Sequence, residues 1–179
     1  MAEILWRTGD TGRAESELRE ALRTDPYDAT VSDLMGRVPA GKGQAPEALF
    51  DFEKATRLRP GYGPHLYDYA LEISAVNRVD EAQASVQSAL RADPDMAEGH
   101  ELLGGLLAGK GQLQDAAREY AEAIRLKPEF ARAHLDLARV LAGQGDMPGA
   151  IDQLRQAAAG SDPQVAQMAA QALKRLGQE

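Results

Sequence analysis

Four prolines divide the chain at a fixed interval: Pro26, Pro60, Pro94 and Pro128 stand 34 residues apart (60 − 26, 94 − 60, 128 − 94), and Pro163 follows one residue late. The first four lie in variants of one phrase, ALRTDPYDA, ATRLRPGYG, ALRADPDMA and AIRLKPEFA. No other feature constrains the fold as much. Self-similarity at a period of roughly 20–50 residues marks an array of supersecondary units that bury a core only by stacking on one another.

The unit is helical. Aromatic residues are 5% of the chain, Ala and Leu dominate the apolar set and β-branched residues are sparse, which favours helix over strand. With Ala29 as position 1 of a repeat, position 8 is small throughout: Ala2, Gly36, Ala70, Gly104 and Ala138. Position 20 is Ala14, Ala48, Ala82, Ala116 and Ala150, and position 27 is Ala21, Ala55, Ala89, Ala123 and Ala157. Between them, Leu18, Phe52, Val86, Tyr120 and Leu154 complete one apolar helical face, the expected core. Gly9, Gly43, Gly111 and Gly145, with Asn77 in the same place once, supply residues that tolerate the left-handed end of a helix. Pro46, Pro64 and Pro148 fall at helix starts, where the missing N–H has no partner to lose.

Period, small positions and helix-turn-helix punctuation together resemble the tetratricopeptide repeat, a 34-residue helix pair. Position 4, often Trp in that family, reads Ser32, Leu66, His100 and His134, so the likeness is looser there. The resemblance implies an all-α fold, an α-solenoid of stacked antiparallel helix pairs with a C-terminal capping helix. It implies one domain over residues 1–179: a partial repeat at 1–28, repeats at 29–62, 63–96, 97–130 and 131–163, and a capping helix at 164–176. Val165, Met168, Ala169, Ala172, Leu173 and Leu176 stripe that last helix, with polar residues outside the stripe.

Two places depart from the pattern. The first repeat starts mid-helix, so either upstream repeats are missing or Ile4, Leu5 and their neighbours are covered by another molecule, including a second copy. Trp6, the single Trp, packs on an upstream repeat or lines a groove. Pro39 stands where Leu5, Ile73, Leu107 and Leu141 occupy the matching positions. It removes a helix hydrogen bond, and the helix is expected to end or kink near Gly36 to Val38, leaving a longer, more mobile connection through Gln44.

Composition and motifs exclude several functions. A net charge of −8 and a pI near 5.0 oppose a phosphate backbone, so no nucleic-acid partner is expected. No stretch approaches the roughly 20 apolar residues of a spanning helix. A soluble chain without membrane insertion is expected, and with no Cys both cytoplasm and periplasm stay open. Nucleophile, HExxH, CxxC and phosphate-loop motifs are absent, which disfavours an enzyme and any cofactor. The GKGQ after LLGGLLA lacks the Ser or Thr of a phosphate loop and belongs to the repeat frame. His100 and His134 read as packing residues rather than a shared metal site, and no metal is expected.

A surface remains. The resemblance implies that first helices of successive repeats line a concave groove for a protein or peptide partner. Positions 2, 5, 9 and 12 share one helical face. On that count the groove takes Asp33 and Arg37, then Tyr67 and Leu71, then Glu98 and Glu101, and last Arg132 and Arg139. An extended partner segment would set an apolar side chain on Tyr67, a basic group near Glu98 and Glu101, and an acidic group toward Arg132 and Arg139. The basic clamp with which one subfamily holds chaperone C-termini is absent, since its positions read Arg37, Asp33, Tyr67, Asp68, Glu101 and Gly105. The loosely conforming, Ala- and Gly-rich repeats look more like bacterial members of the family. The expected function is a protein-interaction module; the alternative is a structural or self-assembling scaffold, a homo-oligomer stacked through the incomplete N-terminal repeat.

Overall fold

Aspartates and prolines set where six of the helices begin. The computed structural model describes residues 8–177, so the expectations for Ala2, Ile4, Leu5 and Trp6 lie outside the described residues. Within that range the chain forms ten α-helices and no strand. They are α1 (Thr11–Thr24), α2 (Ala29–Ala40), α3 (Ala45–Leu58), α4 (Gly63–Ala75), α5 (Val79–Ala92), α6 (Ala97–Gly109), α7 (Leu113–Leu126), α8 (Ala131–Gly143), α9 (Met147–Ala158) and α10 (Pro163–Arg175). Asp10, Asp28, Asp146 and Asp162 cap α1, α2, α9 and α10 by accepting backbone N–H groups that no helical carbonyl can reach. Prolines occupy the first turns of α3, α4, α9 and α10.

The chain divides into two compact units, residues 1–94 with α1–α5 and residues 95–179 with α6–α10. In each, consecutive helices pack in antiparallel pairs, and alternate helices touch: α2 with α4, α6 with α8, α8 with α10. This is an α-solenoid of helix pairs. The alanines at positions 20 and 27 from Ala48 to Ala157 are at most 1% exposed, and Leu18, Phe52, Val86, Tyr120 and Leu154 are buried beside them.

Size is matched across each pair. Gly36 lies against Phe52, where an added Cβ would stand 3.0 Å from three ring carbons. Gly104 lies against Tyr120, where a Cβ would stand 2.8 Å from the ring. Where position 8 is alanine instead, the residue sixteen further on is aliphatic: Val86 after Ala70, and Leu154 after Ala138, the latter two in one buried cluster with Ala131, Leu135, Ala157, Val165 and Ala169.

Pro39 does not break its helix, contrary to the expectation from sequence. α2 runs to Ala40, and Gln44 N–H donates to the Pro39 carbonyl at 2.9 Å. Arg78, Gln112 and Asp146 make the same closing bond to Ile73, Leu107 and Leu141. In each case the residue before the donor is left-handed: Gly43 (φ 72°), Asn77 (61°), Gly111 (75°) and Gly145 (85°). Pro39 sits in the last turn, so it removes only the N–H that would reach the Met35 carbonyl, while its own carbonyl still closes the helix. Pro163 also differs in kind from its predecessors. Pro26, Pro60, Pro94 and Pro128 follow a helix end, whereas Pro163 opens α10.

Candidate partner-binding faces

Within each unit, charged side chains join the first helix of one pair to the first helix of the next. On α2, Asp33 and Arg37 are one turn apart, and Arg37 Nε donates to Asp33 Oδ2 at 3.0 Å. Arg37 Nη2 also donates to Asp68 Oδ2 on α4 at 2.6 Å, so one guanidinium joins two helices. Burial works against the Arg37 charge, but Asp68 and Asp33 outweigh it and hold its pKa above the ordinary value. Asp68 loses water by burial and faces the charge of Asp33, and despite Arg37 its pKa is pushed up to about 6. His65 of α4 lies behind this pair, 2% exposed, with Nδ1 3.0 Å from Asp33 Oδ1. That approach is close without hydrogen-bond geometry, and neither ring nitrogen has a hydrogen-bond partner. The Tyr62 ring meets the imidazole edge-on at 4.6 Å.

The second unit repeats the motif with a different arginine. Glu101 on α6 and Asp136 on α8 take the places of Asp33 and Asp68, each 68 residues later (101 − 33, 136 − 68). Here Arg132 stands between them, its Nε 2.7 Å from Asp136 Oδ2 and 3.8 Å from Glu101 Oε1. Arg139 donates to the other Asp136 oxygen at 2.8 Å. Burial, then the charge of Asp136, pushes Glu101 up to about 7 although Arg132 opposes the shift. Tyr120 lies under this cluster, and burial with the charges of Asp136 and Glu101 raises its pKa. Glu98 pairs with Lys127 at 3.2 Å, and the Lys127 ammonium sits 4.9 Å from the Phe130 ring centre.

The eight residues expected in a groove thus fall into distinct environments. Asp33 is buried, and its partner Arg37 is half-buried. Leu71 is 41% exposed, Tyr67 half-buried, and Arg132 and Arg139 are exposed guanidiniums braced by Asp136. Glu98 is exposed and Glu101 partly buried. Asp68, Asp136 and His65 complete the networks but were not among the expected groove residues. The signal for the two aspartates is a carboxylate recurring 35 residues after the first (68 − 33, 136 − 101), which brings position 6 of one repeat to position 5 of the repeat before. His100 and His134 tie first helices to second helices: His100 Nδ1 is 2.7 Å from Glu119 Oε2, and His134 reaches Gln153 Oε1 and the Pro128 carbonyl. No helix among the described residues is long and apolar enough to cross a membrane.

A family model described as Tetratricopeptide repeat matches residues 74–126 and 106–166, together more than half of the chain. No curated protein matches the sequence significantly. Among solved structures, the chain is similar to the subject of a functional characterisation of Pseudomonas aeruginosa pilF, at 19% identity with a TM-score of 0.84, over 98% of this chain and 88% of that one. It is similar to TTC0263, described as a thermophilic TPR protein in Thermus thermophilus, at 20% identity and a TM-score of 0.79, over 96% and 95%. It also resembles YrrB, described as a TPR protein with an unusual peptide-binding site, at 24% identity and a TM-score of 0.73, over 95% and 88%.

Proposed function

The chain belongs to the tetratricopeptide-repeat family, and from that premise we propose that it is a protein-interaction module holding an extended partner segment on the exposed faces of its first helices. The observation that carries the reading is the bracing of arginines, Arg37 half-buried and Arg132 and Arg139 exposed, by carboxylates that are buried or half-buried. Arg37 is fixed by Asp33 and Asp68, and Arg132 and Arg139 by Asp136, so each guanidinium is held in one orientation while part of it still faces solvent. A fixed donor loses less freedom when it meets a ligand carbonyl or carboxylate than a free side chain does. On α4, which Arg37 reaches through Asp68, the half-buried Tyr67 and the exposed Leu71 supply apolar contact. The peptide-binding site in the description of YrrB belongs to that protein, but it supports peptide binding as a use of this fold.

Asp33 and Asp68 act in this reading as positioning residues, and Leu71, Tyr67, Arg132 and Arg139 as contacts. The test is affinity capture from a lysate of the source organism with the full chain and its variants. Tyr67→Ala and Leu71→Asp should lose the captured protein without unfolding the chain. Arg118→Glu, at an exposed side chain of α7 paired with Asp115, should retain it. Loss with Arg118→Glu alone would move the binding face to the second helices and end this proposal.

A further inference from the structure

Where α8, α9 and α10 meet, the second unit has an open groove of about 410 Å³. That volume lies in the range of clefts that hold a small ligand or a few side chains. Apart from Arg139, Gln171 and Arg175, every lining side chain is apolar. Leu154 and Ala150 come from α9, Met168 comes from α10 and Leu176 caps its end, and those last two are 45% and 40% exposed.

The groove has a filled counterpart one repeat earlier. Tyr120 stands 34 residues before Leu154 (154 − 120), and its phenol oxygen lies 3.7 Å from the position a Cβ on Gly105 would take. There the chain's own aromatic side chain occupies the space beside the first helix. Leu154 is shorter and lacks the phenol, Arg139 replaces Gly105 (139 − 105 = 34), and the space is open. What the tyrosine does internally in one repeat, a side chain from outside can do in the next.

The charges choose among visitors. Arg139 has one carboxylate partner, Asp136, at 2.8 Å, and an exposed side chain with further N–H donors. Arg175 makes no ion pair among the described residues. In a chain of net charge −8, an acidic ligand meets no general attraction, so affinity for one reports on these two local arginines.

We propose that this groove docks an acidic segment of a partner protein that seats one bulky apolar side chain on Leu154 and Met168, with flanking carboxylates on Arg139 and Arg175. The proposal rests on the interaction-module reading and adds to it a place and a ligand chemistry.

Fluorescence anisotropy with the full chain tests it, using a labelled Glu-Asp-Phe-Asp-Glu peptide, its Phe-to-Ala version and a Lys-Arg-Phe-Arg-Lys peptide. The acidic Phe peptide should bind saturably, and its Ala version about tenfold or more weaker. Arg175→Glu and Met168→Asp should each weaken binding by about tenfold or more, as loss of a charge-assisted contact or of the apolar seat requires. Both side chains are exposed, and circular dichroism checks that each variant is folded. Equal binding of the acidic and basic peptides, unchanged affinity in Arg175→Glu, or no saturable binding would each overturn the proposal. A dimer in sedimentation that Met168→Asp dissociates would also overturn it, by assigning the groove to a second copy. Tyr67→Ala and Leu71→Asp should leave this peptide's affinity unchanged, so failure here is separable from failure of the face on α4.

Discussion

Gly104 and Gly105 are neighbours on α6 with opposite requirements for space. A Cβ on Gly104 would stand 2.8 Å and 2.9 Å from two Tyr120 ring carbons, whereas one on Gly105 would meet nothing closer than the phenol oxygen at 3.7 Å. Alanine is favoured over glycine within a helix by about 1 kcal/mol, and overpacking a closed interface costs about 1–3 kcal/mol. Gly105→Ala should therefore stabilise the chain by several tenths of a kcal/mol or more, while Gly104→Ala should destabilise it by about 1 kcal/mol. Tyr120→Leu should remove most of the Gly104→Ala penalty in a double-mutant cycle, since it restores the alanine and leucine combination found at Ala138 and Leu154. Equal effects of the two glycine substitutions in thermal melts would contradict the size matching. The same logic applies to Ala116, fully buried, where Ala116→Leu should cost about 1–3 kcal/mol and Glu122→Gln on the same helix little. The small positions themselves were legible from the period. Their matching was harder to see, because it appears only when position 8 is set beside position 24 of its own repeat.

At the scale of the helix, the reading of Pro39 from sequence failed for an identifiable reason. A proline inside a helical pattern removes one N–H wherever it stands, but the damage depends on how many turns follow it. At Pro39 none follow, and the left-handed Gly43 closes the helix as in the other repeats. Ala40 to Gln44 and Ala108 to Gln112 are the same five residues, AGKGQ, so their amides have closely similar intrinsic exchange rates and differ mainly in structural protection. Gly43 and Gln44 donate to Ala40 and Pro39, as Gly111 and Gln112 donate to Ala108 and Leu107. Hydrogen exchange should show similar protection at the two pairs of amides, rather than a fast segment around residues 36–46. Pro39→Leu should restore the missing donor and raise stability by roughly 1 kcal/mol, less than the interior cost of a proline. A marked excess of exchange at Gly43 and Gln44 would point back to a frayed connection. The networks between first helices were legible only in part for a related reason. Counting positions 2, 5, 9 and 12 identifies one face of an isolated helix, whereas Asp68 and Asp136 at position 6 gain their role from the neighbouring helix, which a single-helix count does not contain.

Across the whole molecule, partly buried carboxylates bias stability toward mild acid. Burial raises the pKa of Asp51 and Glu72, and burial with a neighbouring carboxylate takes Asp68 to about 6 and Glu101 to about 7. The exposed Glu122 shifts the other way, lowered by Arg125, but solvent screens that pair. A carboxyl whose pKa is raised by folding binds its proton more tightly in the native chain than in the unfolded one. Between the unfolded value near 4 and the folded value, the native state holds more protons, so the free energy of unfolding falls as pH rises. The contribution is fully present below about pH 4, declines as pH rises from there, and is lost once pH passes about 6 for Asp68 and about 7 for Glu101. Glu101 has a side chain 21% exposed, and its shift corresponds to a loss on the order of 3 kcal/mol, reduced where water reaches the site. Urea midpoints for the full chain should therefore fall between about pH 4.5 and pH 7.5 at constant m, and level off above that range. Glu101→Gln keeps a neutral hydrogen-bonding group in place, and it should flatten the decline between about pH 5 and pH 7 and raise the midpoint at the alkaline end. Asp68→Asn should act lower, around pH 6, where it also leaves Arg37 with Asp33 as its remaining carboxylate. Arg37→Met should steepen the decline by leaving Asp33 and Asp68 facing each other uncompensated, with a cost of about 3 kcal/mol near pH 8 and less near pH 5. A midpoint that rises with pH, or a Glu101→Gln variant with the parent's slope between about pH 5 and pH 7, would show that these carboxyls are ionised in the fold at little cost and that the arginines neutralise them fully.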